Sequence, residues 1–164
     1  MQNARLRATL AGGLVGGAGD ILFAIAFAGI HGRTPAWLLQ TVATGMLGRA
    51  AYDGGVATAL LGLAGHFGMS LLWAALFVAL ASRFPTLAAR PMLTGPLYGV
   101  IVFLAMRLVV LPLSAFPYPV SFRLESAGPD LLSHMFLFGL PIAFAAARYG
   151  SRRPADDLVP ERMG

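Results

Sequence analysis

Four ionisable side chains interrupt otherwise apolar stretches of this sequence: Asp20, His66, Arg107 and His134. An arginine inside a membrane segment costs from about 3 to over 10 kcal/mol unless it finds a partner or water. Histidine is the side chain best suited to change its charge between about pH 5 and pH 8. An acid, a permanent cation and two imidazoles that met inside a protein could therefore bind or relay a proton, and these residues form the candidate site.

The stretches that carry these residues are long enough to cross a bilayer. Apolar residues make up 57% of the 164-residue chain and charged residues only 12%, whereas water-soluble domains have about 25% charged residues. About 20 apolar residues span the hydrocarbon layer of about 30 Å. We predict an all-α fold, an integral membrane four-helix bundle that forms a single transmembrane domain over residues 1–150. Its spans are predicted at about 10–30, 56–82, 93–115 and 130–149, and a polar cytoplasmic tail follows at 151–164.

The segment between the first two spans predicts one further helix. Pro35 suits the first turn of a helix, but the run that follows is too short and too often interrupted by Thr and Gly to cross a membrane. We expect an extra interfacial or re-entrant helix, with Trp37 and Tyr52 at the level of the lipid headgroups. The first span is not interpreted as a signal peptide, because its apolar run is too long and contains Asp20.

The distribution of arginines predicts the orientation of the bundle. All twelve basic residues are arginine, and they lie mainly at segment ends, where basic residues set membrane orientation. If the N-terminus is inside, the inner side carries Arg5, Arg7, Arg83, Arg90, Arg148, Arg152 and Arg153, and the outer side carries Arg33, Arg49 and Arg123. This excess predicts that both termini are cytoplasmic, and the predicted partner of the chain is the lipid bilayer. No basic stripe of the kind that binds nucleic acid is visible.

Positions along the predicted spans place the four candidate residues in the outer half of the membrane. At about 1.5 Å per residue, Asp20 and His66 lie about 15 Å from the outer boundary, Arg107 about 12 Å and His134 about 7 Å. Lipid cannot solvate such groups, so the bundle must turn them inward. We therefore predict a buried ion pair between Asp20 and Arg107, flanked by the two histidines. The supporting residues are Ser70, Ser114 and Asp130.

The same residues have a plainer, structural interpretation. A buried ion pair can simply fix which helices are neighbours. His66 can hydrogen-bond across helices alongside Ser70, and His134 can bond to Asp130 one turn earlier. Small residues let helices approach closely, and two glycine pairs could bind each other or a second copy of the chain: Gly12 with Gly16, and Gly95 with Gly99. A homo-oligomer or a partner in a membrane complex is one consequence of this interpretation.

The residue inventory argues against an enzyme and against a bound cofactor. The chain has no cysteine and no lysine, which excludes disulfides, thiolate metal sites, cysteine nucleophiles and Schiff-base chemistry. No nucleophile stands with a base and an orienting group, so no catalytic residue is assigned. Haem ligation by His66 and His134 is disfavoured because their estimated depths differ by about 8 Å. We predict no metal site and no cofactor.

Four runs of the sequence together resemble a family. They are LLQTVATGMLGRAAYDGG, ending at Gly55, ATALLGLAGHF around His66, GPLYGVIVFLAMRLVVLPLSAFP around Arg107, and HMFLFGLPIA from His134. Over about residues 20–149 the chain resembles small bacterial inner-membrane proteins related to the YagU-like family. The resemblance implies a four-span inner-membrane protein, and the YagU-like group is linked to survival of acid stress. It carries no catalytic residue onto this chain.

Two functions are compatible with these patterns. The first is a non-enzymatic inner-membrane protein that serves envelope or acid-stress tolerance, or that is a subunit of a membrane complex. The second is a small proton- or ion-linked transporter or channel that uses the intramembrane Asp/His/Arg cluster, and haem or metal binding is a weaker third. A dry, closed core around the polar residues would favour the first function, and a wetted cavity that reaches them would favour the second.

Overall fold

The helices follow the apolar stretches of the sequence. The computed structural model describes residues 2–150, in which every regular element is helical. In chain order the main helices are α1 Gln2–Ile30, α2 Pro35–Leu47, α3 Gly55–Arg83, α4 Pro91–Leu113 and α5 Leu124–Gly150, and a 3₁₀ segment at Gly48–Tyr52 and a one-turn helix at Thr86–Ala89 lie between them. All of the main helices but α2 are long and apolar enough to cross a membrane. The prediction of an all-helical fold with four such helices is confirmed, and the predicted polar tail at 151–164 lies outside the described residues.

Two helices begin earlier than the sequence patterns predicted. Helix α1 starts at Gln2, because the residues before its apolar run, which include Arg5 and Arg7, are compatible with a helix. Helix α5 starts at Leu124 instead of at about residue 130, and Pro129 lies inside it. Proline has no amide to bond to the carbonyl four residues earlier, yet the helix continues through this position. The consequence is that Asp130 lies within α5 and not at its first residue.

Helix α2 is held by the bundle itself. Its start is capped, since the Trp37 amide donates to Thr34 Oγ1 at 3.1 Å and Pro35 occupies the first turn. The Gln40 side-chain amide donates to the Gly55 carbonyl at 3.0 Å. Further along, a Cβ on Gly62 would overlap the Leu39 carbonyl oxygen. Helix α2 therefore lies directly on the N-terminal part of α3, in backbone contact with it.

Glycines set the closest contacts between the long helices. A Cβ on Gly12 would lie 3.0 Å from Ile142 Cα, and one on Gly16 would lie 2.9 Å from the Phe138 carbonyl oxygen, so this face of α1 packs on α5. A Cβ on Gly95 would lie 2.7 Å from Leu140 Cα, so α4 also packs on α5. The predicted contact of the two glycine pairs with each other or with a second copy is wrong, because both pairs are used against α5.

The centre of the bundle is closed, and its two ends are open. Ile142, Val102 and Ala74 are 0% exposed, and the Tyr98 hydroxyl donates to the Trp73 carbonyl at 2.6 Å, which joins α4 to α3. A cavity of about 250 Å³ lies at the end that carries the N-terminus of α1. A larger cavity, of about 340 Å³, lies at the opposite end, beside the candidate site.

Candidate functional site

Arg107 has a carboxylate partner, but it is Asp130 and not Asp20. Arg107 Nη2 donates to Asp130 Oδ2 at 2.8 Å, and the Arg107 side chain is 16% exposed. Its other terminal nitrogen donates to the backbone carbonyl of Ser121, in the loop between α4 and α5. In the part of the chain that the structure describes, no ion pair joins Asp20 to Arg107. The predicted pairing is wrong because α5 begins early enough to turn Asp130 inward.

His134 lies between two carboxylates. Its Nδ1 donates to the Asp130 carbonyl oxygen at 2.9 Å, one turn earlier, which confirms the predicted local bond. The same nitrogen lies 3.3 Å from Asp130 Oδ1 and 3.5 Å from Asp20 Oδ1. Asp20 in turn accepts a hydrogen bond from the Ser133 hydroxyl at 2.6 Å. We call Asp20, Arg107, Asp130 and His134 the polar cluster, because side chains from α1, α4 and α5 meet there.

Two of the three helices that carry the cluster, α4 and α5, widen into π-helix at this level. The π segments are Met106–Val110 in α4, which contains Arg107, and His134–Gly139 in α5, which begins at His134. A proline follows each segment closely, Pro112 in α4 and Pro141 in α5. Proline cannot donate a backbone hydrogen bond and crowds the carbonyl four residues earlier, and a wider turn accommodates that loss. Isolated π turns inside α-helices are frequent at functional sites.

Two aromatic rings pack against the Arg107 guanidinium. Its central carbon lies 4.8 Å from the centre of the Phe103 ring and 5.7 Å from that of Phe122, a geometry in which the ring faces attract the cation. Arg107 Nε is buried and has no hydrogen-bond partner. The guanidinium therefore depends on Asp130, on a loop carbonyl and on two ring faces, in a place where an unpaired charge would be costly.

Some members of this site could not be found from the sequence. Ser121 contributes only a backbone carbonyl and Phe122 lies beside it in an irregular loop, where no periodicity indicates direction. Ser133 adjoins His134, yet only the position of α1 reveals that its hydroxyl reaches Asp20. Phe103 does share a predicted helix face with Arg107 at a spacing of four residues, and that spacing was the one usable signal.

The remaining predicted site residues lie elsewhere. His66 Nε2 donates to the Gly17 carbonyl at 2.8 Å, and the Ser70 hydroxyl donates to the Gly13 carbonyl at 2.5 Å. These bonds confirm the plainer role predicted for His66, a bond across helices alongside Ser70. Among the described residues, no hydrogen bond or ion pair links His66 to the polar cluster. The Ser114 hydroxyl donates to the Leu111 carbonyl at 2.8 Å and so closes the end of α4.

The polar cluster is open on one side. Arg107 and Asp130 line the cavity of about 340 Å³, together with residues of α1, of α2 and of the loop between them. Asp130 is the most accessible member of the cluster, with 39% of its side chain exposed, whereas Asp20 and His134 are 13% and 15% exposed. Small solutes that enter the cavity can therefore reach the ion pair, while His134 and Asp20 lie behind it.

Three groups of the cluster lie close enough to share a cation. Ligand atoms of Asp20, Asp130 and His134 all lie within 4.8 Å of one another, and carboxylates with an imidazole are a donor set that divalent metals accept. The Arg107 guanidinium already occupies Asp130 Oδ2, and the Ser133 hydroxyl occupies Asp20 Oδ1. A metal ion would have to compete with both donors and with the charge of Arg107. A proton needs only one nitrogen and displaces neither donor, although the charge of Arg107 opposes it as well.

Comparison of the chain with known family models, with curated proteins and with solved structures finds no match. The class of the protein is therefore argued from its own residues. Its four long apolar helices are compatible with a multi-pass membrane protein, and three of them contribute side chains to the polar cluster. The resemblance to the YagU-like group stays a prediction.

Proposed function

We propose that this chain is a multi-pass protein of the bacterial inner membrane, with both termini in the cytoplasm and α2 at the outer side. Its proposed role is non-enzymatic: it helps the cell envelope to tolerate acid, and the polar cluster is the element that responds to protons. The apolar helices and the arginine distribution support the location. The observation that carries the proposed role is the position of His134 between two carboxylates, behind a cavity.

The charges of the cluster favour an added proton. Asp20 and Asp130 contribute two negative charges and Arg107 contributes one positive charge, so the cluster has a net charge of −1 while His134 is neutral. Protonation of His134 brings this sum to zero. Electrostatic interactions are stronger away from bulk water, so the change matters more here than on an exposed surface. The other charged or titratable groups that face the same cavity are His31 and Arg33.

Protonation of His134 would also alter how Asp130 is shared. Nδ1 of His134 already donates to a backbone carbonyl, so the added proton goes to Nε2 and gives the ring a full positive charge. This positive charge attracts the Asp130 carboxylate, which also accepts a hydrogen bond from Arg107 at 2.8 Å. His134 begins a π segment, and a Cβ on Gly99 of α4 would overlap the His134 carbonyl oxygen. A change at His134 therefore acts directly on the contact between α4 and α5.

The cavity beside the cluster also bears on the second function, a proton- or ion-linked transporter or channel. The open cavity favours it, but a single chain needs a continuous polar path to the opposite side. Ile142 and Val102 block the centre with 0% exposure, and close glycine contacts join the helices there. Transport would therefore require several copies or a rearrangement of the helices. The acid-responsive, non-transporting role needs neither.

The proposed location has a direct test with reporter fusions. Alkaline phosphatase folds only outside the cytoplasm, so its fusion after Gly150 should be inactive and its fusion in the loop at Pro119 should be active. Green fluorescent protein, which fails to fluoresce when exported unfolded, should show the opposite pattern at the same two positions. Equal phosphatase activity at both positions would contradict the proposed orientation.

The proton-responsive role is tested by the pH dependence of thermal stability in detergent. Between about pH 8 and about pH 5, the melting temperature of the wild-type protein should rise as His134 takes up a proton. The variant His134→Gln should lose this rise. The matched control His66→Gln should melt lower at every pH and keep the rise, because His66 bonds to a neutral carbonyl. An unchanged rise in His134→Gln would contradict the role, and acid survival of cells carrying each variant should follow the same order.

A further inference from the structure

The lining of the cavity at the polar cluster combines two kinds of side chain. Most are aromatic or aliphatic, and we call these the wall; we call the charged ones the rim. The aromatic wall residues are Phe23, Phe27 and Trp37, and the charged rim residues are Arg33, Arg107 and Asp130. Sites for small molecules typically combine an apolar lining with a few polar groups that orient the ligand. This composition suits a molecule with a charged head and an apolar body.

The rim carries an uncompensated positive charge. Arg107 is neutralised by Asp130 at 2.8 Å. Arg33 has no carboxylate within ion-pair distance among residues 2–150, and its guanidinium lies over the Trp37 ring at 4.6 Å from the ring centre. The two guanidiniums and one carboxylate sum to a charge of +1. A guanidinium offers paired N–H donors that match the oxygens of a phosphate, so the rim favours a phosphate group.

The size of the cavity limits what can enter it. Its volume of about 340 Å³ lies near the lower end of the range of about 300–1,000 Å³ that ligand pockets occupy. This space suits a polar headgroup and cannot also enclose long acyl chains. Chains attached to such a headgroup would have to lie outside, and α1 offers a surface for them. Ile30 follows Phe23 and Phe27 at helical spacing and is 79% exposed.

We propose that this cavity binds the headgroup of an anionic phospholipid. Arg33 would contact the phosphate from the rim, the aromatic wall would receive the glycerol region, and the acyl chains would run along the exposed face of α1. The proposal rests on the membrane location proposed above, but it requires no protonation of His134. It also explains why Arg33 stands beside an aromatic wall without a carboxylate partner.

Native mass spectrometry of the detergent-purified protein tests this site with two added lipids, phosphatidylglycerol and phosphatidylcholine. Phosphatidylglycerol, which carries a net negative charge, should bind more tightly than the zwitterionic lipid. The variant Arg33→Gln should weaken phosphatidylglycerol binding about fivefold, since one basic side chain near a lipid surface contributes about 1 kcal/mol. The control Arg123→Gln removes the same charge from an exposed arginine that does not line the cavity and should leave binding unchanged.

A second variant tests the cavity without changing charge. Ala24 lines the cavity from α1, and Ala24→Phe should fill the space and abolish tight binding of phosphatidylglycerol. A melting temperature near that of the wild type would show that the variant is folded. Inorganic phosphate at millimolar concentration should fail to displace the lipid. Efficient displacement would reassign the site to a soluble phosphate compound and would overturn the lipid proposal.

Two further outcomes separate this proposal from the acid-responsive function. Equal binding of both lipids, or equal effects of Arg33→Gln and Arg123→Gln, would overturn the lipid site and leave the pH experiment on His134 unaffected. Conversely, His134→Gln should bind phosphatidylglycerol as the wild type does, because His134 does not line the cavity. Loss of the pH response in that variant with retained lipid binding would support both proposals independently.

Discussion

The interface between α1 and α3 and the interface between α4 and α5 both bury polar side chains, and they satisfy them in opposite ways. Between α1 and α3, His66 and Ser70 donate to backbone carbonyls of the partner helix, and no formal charge is involved. Between α4 and α5, Arg107 depends on Asp130, whose carboxylate also lies beside His134. In the first arrangement, each of the two side chains has a hydrogen-bond partner on the neighbouring helix. The second contains a histidine whose charge can change and a cavity that admits solutes.

This difference shows that residue type does not decide whether a polar side chain in an apolar helix is structural or functional. His66 and His134 are both partly buried, but their partners differ. His66 is bonded to a neutral carbonyl on a neighbouring helix, and His134 is flanked by carboxylates. A neutral carbonyl accepts one hydrogen bond from the imidazole, whereas neighbouring carboxylates also stabilise the protonated, positively charged imidazole. The two histidines therefore differ in their partners, and a proton added to His134 lies beside two carboxylates.

The largest expected effect comes from the glycine that brings α4 onto α5. A Cβ on Gly99 would overlap the His134 carbonyl oxygen, so Gly99→Ala must push the two helices apart at the polar cluster. We expect a loss of at least about 3 kcal/mol in the free energy of unfolding, measured by thermal or chemical denaturation in detergent. The matched control is Gly68→Ala in α3, where no atom lies within 4 Å of an added Cβ.

The control variant should be as stable as the wild type or more stable by up to about 1 kcal/mol, since alanine favours a helix interior over glycine. Similar losses in Gly68→Ala and Gly99→Ala would mean that the close approach of α4 to α5 is not maintained by the glycine. In that case the backbone contact at His134 would lose its role in coupling the cluster to helix packing.

The next effect concerns the ion pair between α4 and α5. Arg107→Leu should cost about 3 kcal/mol, the lower end for breaking a buried pair, because Asp130 is 39% exposed. The double variant Arg107→Leu with Asp130→Leu should cost less than the single one, since no charge is left unpaired. Arg107→Leu combined with Asp20→Leu should show no such recovery. Denaturation of all the variants in one detergent gives the comparison.

An exposed ion pair provides the control for this cycle. Arg123 and Glu125 lie 3.4 Å apart with side chains 76% and 84% exposed, so removing either should change stability by less than about 1 kcal/mol. Strictly additive losses for Arg107 and Asp130 would show that the two residues do not act as a pair.

The smallest effect is expected at the interface between α1 and α3. Ser70→Ala removes the hydroxyl that donates to the Gly13 carbonyl, and hydrogen bonds between apolar membrane helices contribute about 0.6 kcal/mol on average. The control Ser82→Ala removes a hydroxyl that bonds within its own helix, to the Val78 carbonyl. A loss of stability in Ser70→Ala as large as that in Arg107→Leu would show that the two interfaces do not differ in this way.

The helices could be predicted from the sequence because their apolar runs are long. The break at Gly54 and Gly55 and the proline at the start of α2 also have direct local causes, and the structure shows both. The starts of α1 and α5 could not be predicted as well. The arginines near the start of α1 and Pro129 in α5 fall outside the predicted spans, because apolar residues alone defined those spans.

The candidate site was predicted by depth alone, and depth does not specify a partner. Asp20 and Arg107 lie at similar predicted depths, yet Asp20 contacts Ser133 and lies beside His134. Asp130 received only a supporting role because it was placed at the predicted end of a span. The widening of two helices upstream of Pro112 and Pro141 rotates side chains in a way that regular helical spacing does not describe. These features depend on tertiary packing.

The bond from Arg107 to the Ser121 carbonyl has a consequence for how the loop between α4 and α5 can evolve. Every residue type supplies a main-chain oxygen, so nearly any side chain at position 121 leaves this acceptor in place. A deletion or an insertion would instead carry the acceptor away from the guanidinium. We therefore expect relatives of this protein to vary freely in the composition of this loop while keeping its length.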